Sequence, residues 1–239
     1  MLYPSSLDSP YHPSGSTTID PIGYGKVAIV TGCASSIGLA VTQLLLAHQF
    51  SVCGLDDIEF DYSLLREADH GRFHFHRGNL SPGDSDGAAE GLRICRGVFG
   101  ERLNTLITTP STSPVSPPNL TTALTINLTT PILMMHTVLP LMKSHRSGVI
   151  INITPPAPPG DAARTAARDG LLGATKSVAW SCRDEGIRVN AVLPGAAVEE
   201  AGEKTAAMEV ARAVLFLVGD EAKGVNGVGL PVGRMGEVL

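Results

Sequence analysis

What most constrains this chain is an alternation that begins at Lys26. Apolar runs of strand length take turns with stretches of helical periodicity. "KVAIVT" reads as a buried strand. "IGLAVTQLLLAHQF" follows it, with Ile37, Ala40, Val41, Leu44 and Leu45 on one helical stripe. "FSVCGL", "RFHFH" and "LNTLITT" read as the second, third and fourth strands, and no helix is assigned between the last two. A long helix is expected from about Thr122 to Ser144, capped or kinked by Pro131 and Pro140. "GVIINIT" is a fifth strand. A helix beginning in "GDAARTAARDG" runs to about Asp184, and "IRVNAVL" is a sixth strand. The helix "AAMEVARAVLFLV" and a short last strand, "GVGLPV", complete the pattern. Such alternation predicts one α/β domain, doubly wound, with a mostly parallel seven-stranded sheet covered on both faces.

Composition narrows the class. The chain has 239 residues, of which 43% are hydrophobic and 17% charged, enough for one sizeable core. A net charge of -5 argues against a nucleic-acid or anionic-membrane surface. No apolar run reaches the roughly 18 to 20 residues of a membrane span. The first 21 residues lack the pattern of a secretory signal, so the expected location is cytoplasmic. Residues 1–23 read as a flexible arm and 24–239 as the domain. Cys33, Cys53, Cys95 and Cys182 have no metal spacing and read as buried, reduced thiols. The sequons at Asn79, Asn119, Asn127 and Asn152 are chance matches without a secretory route. His74 and His76 alternate with Phe73 and Phe75, a strand pattern and not a metal site.

The first turn, "TGCASSIG", lies between a strand and a helix. There, backbone N–H groups at the helix start can receive a dinucleotide pyrophosphate. Gly32 makes the tight turn and Gly38 allows close packing. Ser36 holds the middle glycine position, with Ser35 and Ile37 on either side. Asp56 follows Gly38 by 18 positions, at the end of the second strand. A carboxylate there accepts ribose hydroxyls and repels a 2′-phosphate, which favours NAD over NADP.

From about Gly25 to Val232 the chain resembles the short-chain dehydrogenase/reductase family. The resemblance rests on "TGCASSIG", "INL" around Asn127, "SGVIINI", "GIRVNAVLPG" and "EVARAVLFLVGDEAKGVNGVGLPV". It implies a Rossmann-type domain, an NAD or NADP cofactor and a small-molecule substrate. It makes Asn127 the asparagine of the catalytic tetrad. It places Asn79 and Leu80 beside adenine, and Pro194 and Gly195 beside nicotinamide. The family commonly pairs two helices with their copies, implying a homodimer or homotetramer. "LMMHTVLPLM" and "LLGATKSVAW" are apolar enough for that, and Trp180 reads either as an interface anchor or as core packing.

Departures from the family pattern carry more information. Its Asn-Asn-Ala-Gly segment is here Thr108-Thr109-Pro110-Ser111. Its catalytic serine aligns with Pro155, and Thr154, one residue short, is the nearest hydroxyl. Counted back from "GIRVNAV", the family's tyrosine and lysine fall on Arg164 and Arg168. Arginine stays protonated and exchanges no proton at ordinary pH. Losing a positioned acid or base costs about 10²–10⁴ in rate. Arg168 can still reach ribose hydroxyls, and Arg164 can hydrogen-bond a carbonyl or carboxylate. The alternative is a solvated helix start, paired to Asp161 and Asp169. Gly195 and Glu209 are 14 positions apart, which shortens the family's substrate lid and opens the cleft to a bulky substrate. The C-terminal "VGRMGEVL" lacks the family's Asp-Gly-Gly.

Three functions follow as alternatives. The first is a non-standard enzyme of specialised metabolism that orients a reactive intermediate for cyclisation or isomerisation, reduces an activated acceptor, or does both. Its loss of Ser, Tyr and Lys beside a Pro-Pro-Gly loop is loosely similar to the reductase/Diels–Alderases of bridged indole-alkaloid pathways. The second is an ordinary NAD(P)-dependent oxidoreductase with a rearranged site. The third is a non-catalytic binding partner that keeps the fold.

Overall fold

The computed structural model describes residues 22–81, 87–110, 120–195 and 204–233. Strands β1 (Val27–Thr31), β2 (Ser51–Asp56), β3 (Phe73–Arg77), β4 (Thr105–Thr108), β5 (Gly148–Ile153), β6 (Ile187–Pro194) and β7 (Gly229–Val232) form one sheet. Their spatial order is β3-β2-β1-β4-β5-β6-β7, and every neighbouring pair is parallel. The order reverses between β1 and β4. In a doubly wound sheet the ligand crevice opens at that point, beyond the carboxyl ends of the strands.

Alternation along each strand builds the two layers. Ala28 and Val30 turn to one face, packed with Val41 and Leu45 of α1 (Ser36–Ala47) and Val210 and Val214 of α6 (Lys204–Val218). Val27 and Ile29 turn to the other. They pack with Cys95 of α2 (Gly87–Phe99), Met134 and Val138 of α4 (Thr130–His145), and Leu171 of α5 (Ala162–Ser181). All four cysteines are free and buried, as their sequence context implies. Among the described residues no cluster of metal-binding side chains occurs.

Helix α2 is absent from the sequence reading, and its packing shows why. Only Ala88, Gly91 and Cys95 of its 13 residues are buried, so its apolar stripe is thin. Gly91 is required by closeness: a Cβ there would press on Leu55 Cδ1. At the other end of the domain, Ile22 packs against the core and Gly23 donates to the His48 carbonyl. A Cβ on Gly23 would run into the Phe50 ring. The domain therefore includes residues 22 and 23, which the reading assigned to the arm. The rest of the arm lies outside the described residues.

The long helix expected from Thr122 to Ser144 runs from Leu120 to His145. It comprises α3 (Leu120–Leu124), a π-helical turn at Thr125–Thr129, and α4. Pro131 explains the turn. It has no N–H to give the Asn127 carbonyl four residues earlier, so the ladder widens, and the Thr130 N–H bonds the Thr125 carbonyl instead. By length and composition this helix is apolar enough to cross a membrane, which the sequence reading did not recognise. Its Met134, Met135, Val138, Leu139 and Met142 are buried against the sheet.

A buried polar network ties these layers together. Thr108 Oγ1 donates to Asn152 Oδ1 at 2.9 Å, and Asn152 Nδ2 donates to Thr175 Oγ1 at 2.9 Å and contacts Met135 Sδ at 3.2 Å. Thr175 Oγ1 donates to the Leu171 carbonyl at 2.8 Å. Replacing Thr175 with Val removes the oxygen acceptor of a fully buried amide. The expected cost is about 1–3 kcal/mol, measured as a lower urea midpoint with an unchanged slope.

Candidate functional site

The crevice at the β1/β4 reversal is lined by Thr31, Gly32, Asp56, Asp57, Gly78, Asn79, Leu80, Ser81, Thr109, Ile126 and Thr130. Gly32 turns the chain out of β1 at φ +63°, a left-handed conformation suited to glycine. Thr109, just past β4, pins that turn. Its Oγ1 donates to the Thr31 carbonyl at 2.6 Å and to the Gly32 carbonyl at 3.2 Å, and its N–H donates to Thr31 Oγ1 at 3.2 Å. Gly38 lies so close that a Cβ would run into the Gly32 carbonyl.

Helix α1 starts where this turn ends. Ser35 is its N-cap: its hydroxyl donates to the Gly32 carbonyl at 2.7 Å and accepts from the Gly38 N–H at 3.0 Å. The Ser35 side chain is thus committed to the protein. The N–H groups of Ser36 and Ile37 occupy the first turn, where a helix provides no acceptor of its own. Ser36 is exposed, while the Ile37 side chain is buried. An anion at this turn would meet backbone donors and the positive end of the helix.

Asp56 closes the other side of the crevice. Its Oδ2 accepts the Ala34 N–H at 2.8 Å and its Oδ1 the Ile58 N–H at 3.2 Å. The residue is only 7% exposed. Burial pushes its carboxyl above the usual aspartate range, against the pull of those two N–H donors; Asp57 raises it further. Each oxygen keeps a lone pair for a ribose hydroxyl. Asn79 Oδ1 accepts from the Ser81 N–H at 2.9 Å, which shapes the loop carrying Asn79 and Leu80 into the crevice. The turn, the helix start and the carboxylate together fit the adenosine and phosphate portions of a dinucleotide.

The remaining candidates stand at the strand ends beyond β5 and β6. Asp161 is the N-cap of α5: Oδ1 accepts the Arg164 N–H at 2.9 Å, and Oδ2 is 3.3 Å from Arg164 Nε. Arg168 Nε lies 3.2 Å from Asp169 Oδ1. Both arginine side chains are mostly covered, at 28% and 22% exposure. Arg168 precedes Thr175 by two helical turns and shares its face. Thr175 marks that face as the one on β5. Seven residues of helix rise ~10 Å, which matches ~3 residues of strand. This brings Arg168 level with Pro155, just past Asn152.

The structure also refines two candidates there. Thr154 is fully buried, its N–H and its hydroxyl both directed at the Val192 carbonyl, 2.9 and 3.4 Å away. Its hydroxyl therefore faces the β6 backbone and not the crevice. Pro155 and Pro156 are buried beside it. Pro194 and Gly195 end β6, both buried, with the Gly195 N–H on the Val232 carbonyl at 2.8 Å. The shortened lid and the segment from residue 234 on lie outside the described residues.

Asn127 belongs to the long helix beside the crevice. It sits in the π-helical turn, 9% exposed, and its Oδ1 has no hydrogen-bond partner among the described residues. Its neighbours Ile126 and Thr130 line the crevice. Sequence reasoning named Gly32, Asp56, Asn79, Leu80 and Thr109 among the lining residues. It missed Asp57, Gly78, Ser81, Ile126 and Thr130. Adjacency to named positions was a usable signal for the first three. Ile126 adjoins Asn127 in the same way, while Thr130 needed the π-helical turn, which Pro131 four residues after Asn127 foreshadows.

The raised Asp56 carboxyl has a pH signature. Between the ordinary aspartate value of about 3.9 and its raised folded value, the native state holds a proton that the unfolded chain has released. Its contribution to stability therefore falls as pH rises through that window. Asp56→Asn should gain stability relative to the parent as pH rises above the ordinary aspartate value of about 3.9, read from denaturation midpoints. A flat or opposite trend would mean that the two backbone donors outweigh burial.

Comparisons with known proteins agree with this architecture. The family model described as short chain dehydrogenase matches residues 26–209. Asnovolin H dehydrogenase nvfC of Aspergillus novofumigatus is 32% identical over 248 residues, covering 86% of this chain and 95% of that protein. Short chain dehydrogenase ple7 of Rhodocybe pseudopiperita is 30% identical over 257 residues, covering 90% and 99%. Short chain dehydrogenase prhI of Penicillium brasilianum is 34% identical over 180 residues, covering 71% and 68%. With a parallel seven-stranded sheet, a glycine turn at the β1/β4 reversal and a match over most of its length, this chain belongs to the short-chain dehydrogenase family.

Proposed function

We propose that this protein is an enzyme of specialised metabolism. It holds a reactive intermediate beside the dinucleotide crevice and promotes its non-redox cyclisation or isomerisation, a Diels–Alder closure being one such reaction. Reduction of an already activated acceptor is the companion activity of the same site. The observation that carries this reading is the face of α5 turned to the end of β5. It presents Arg164 and Arg168, held by Asp161 and Asp169. The neighbouring Thr154 hydroxyl faces the β6 backbone.

The chemistry follows from these groups. A guanidinium donates hydrogen bonds and keeps its proton. Arg164 thus polarises a substrate carbonyl or fixes a carboxylate without exchanging a proton, and Arg168 reaches a ribose. Orientation of a reactive substrate supplies up to about 7–11 kcal/mol in ideal cases, with no proton donor. The crevice residues suit NAD or NADP. The N–H groups of Ser36 and Ile37 would hold the pyrophosphate, and Asp56 the adenosine ribose, which favours NAD. When bound, that cofactor supplies or takes a hydride. Asn127, buried behind the crevice-lining Ile126 and Thr130, would act from beneath the site and not as a wall of it.

A second reading, an ordinary NAD(P)-dependent oxidoreductase with a rearranged site, is favoured by the names of the relatives, which are dehydrogenases. Both readings place the protein as a homodimer or homotetramer in the cytoplasm. Trp180 supports the oligomer. It is 71% exposed with Arg183 stacked 4.5 Å from its ring centroid, which removes the core-packing alternative. Leu133, on α4, is exposed as well.

Calorimetric titration with the four nicotinamide dinucleotides tests the reading. NADH should bind at least tenfold tighter than NADPH, and Asp56→Asn should narrow that ratio. Arg168→Ala should weaken NADH about tenfold, while Arg164→Ala leaves it unchanged. Absence of binding by every form would remove hydride chemistry and leave a non-catalytic partner or a cofactor-free cyclase. For the assembly, light scattering at micromolar concentration should return at least twice the chain mass; a monomer would contradict the oligomer.

A further inference from the structure

A second cleft opens at the opposite end of the sheet. It runs across the amino ends of β1, β4, β5 and β6, while the dinucleotide crevice lies beyond the carboxyl ends. Its volume is about 230 Å³. Lys26, Asn104, Ser147 and Arg188 form its walls, with Asp220 and Lys223 from the turn after α6.

The charge of this cleft is opposite to that of the chain. Three cations, Lys26, Arg188 and Lys223, face one carboxylate, Asp220, on a protein of net charge -5. The end of α6 would ordinarily add negative character, because its last carbonyls lack partners. Arg188 removes that. Its Nη1 donates to the Leu217 carbonyl at 2.7 Å, and its Nη2 to the carbonyls of Val218 and Gly219 at 3.4 and 3.3 Å. The guanidinium is thereby fixed in place, half-buried, as a standing positive wall. Lys223 meets Asp220 at 3.6 Å, a pair exposed by about three-quarters on both sides and thus weak. Lys26 forms no ion pair among the described residues. The Asn104 amide oxygen accepts the Val27 N–H at 2.9 Å, which fixes that short side chain; the long, flexible donors of the cleft are the two ammonium groups.

We propose that this cleft binds a compact multivalent oxyanion, of phosphate or polycarboxylate type, between Lys26 and Lys223 against the Arg188 wall. A flexible ammonium on each side can close on such an anion, and its charge offsets the local excess of two. The site is independent of the dinucleotide crevice and of whatever reaction occurs there.

Thermal unfolding with pyrophosphate, citrate and matched-ionic-strength sodium chloride tests the proposal. A saturable rise in midpoint is expected with at least one of the two anions and none with chloride; which one responds identifies the oxyanion class. The double variant Lys26→Ala/Lys223→Ala alters two side chains at the rim of the fold and should weaken that binding at least tenfold. Ser36→Pro, at the first turn of α1, separates the two sites. It removes a phosphate-facing N–H from the other end of the sheet and should leave the effect intact. A rise that survives the double variant, or disappears in Ser36→Pro, places the anion elsewhere and overturns the proposal. So does the absence of a saturable rise with either anion.

Discussion

Everything at the crevice depends on the clasp between β1 and β4. Two parallel strands meet there whose crossovers leave in opposite directions, which opens a gap above their ends. Gly32 turns sharply out of β1, and Thr109 holds the Thr31 and Gly32 carbonyls from the neighbouring strand. With those carbonyls occupied, the turn is fixed from behind. The start of α1 then presents its first N–H groups outward. Gly38 lets the helix approach that turn within a distance no side chain would permit.

From that fixed edge the site extends along the sheet in two chemically different halves. The half over β1 and β2 has polar turns and a buried carboxylate, suited to hydroxyls and phosphate. Beyond β5 and β6 lie buried prolines, and α5 carries Arg164 and Arg168 paired with Asp161 and Asp169. The first half keeps the glycine turn, the capped helix start and the buried carboxylate. In the second, charge is fixed and proton exchange is absent from the positions of Arg164 and Arg168. This contrast underlies a proposal of orientation and polarisation in place of acid–base chemistry.

Much of this was legible in the residues. The seven strands and four of the long helical stretches produce their own periodicities wherever both partners are large and apolar, as in "KVAIVT" and "AAMEVARAVLFLV". Helix α2 failed that test because close packing on Leu55 demands Gly91, so its buried stripe carries little hydrophobic signal. Asp56 was visible from position, but its raised carboxyl was not: the burial that raises it comes from packing across the fold, against the pull of the Ala34 and Ile58 N–H groups. Thr154 shows the same limit in reverse. A hydroxyl next to the expected serine position was a reasonable candidate, yet strand geometry turns it to the Val192 carbonyl.

The sequence by itself determined the doubly wound class, the glycine turn, the carboxylate after the second strand and the two arginines four residues apart. These are local: each follows from side-chain period, backbone freedom or spacing along one element. The tertiary structure alone decided where the Thr109 and Thr154 hydroxyls are directed and that Trp180 faces outward. It also decided that Lys26, Arg188 and Lys223 share a cleft. Those outcomes depend on contacts between residues far apart in the chain, and a through-space field or hydrogen bond has no signature in the spacing of a single strand or helix.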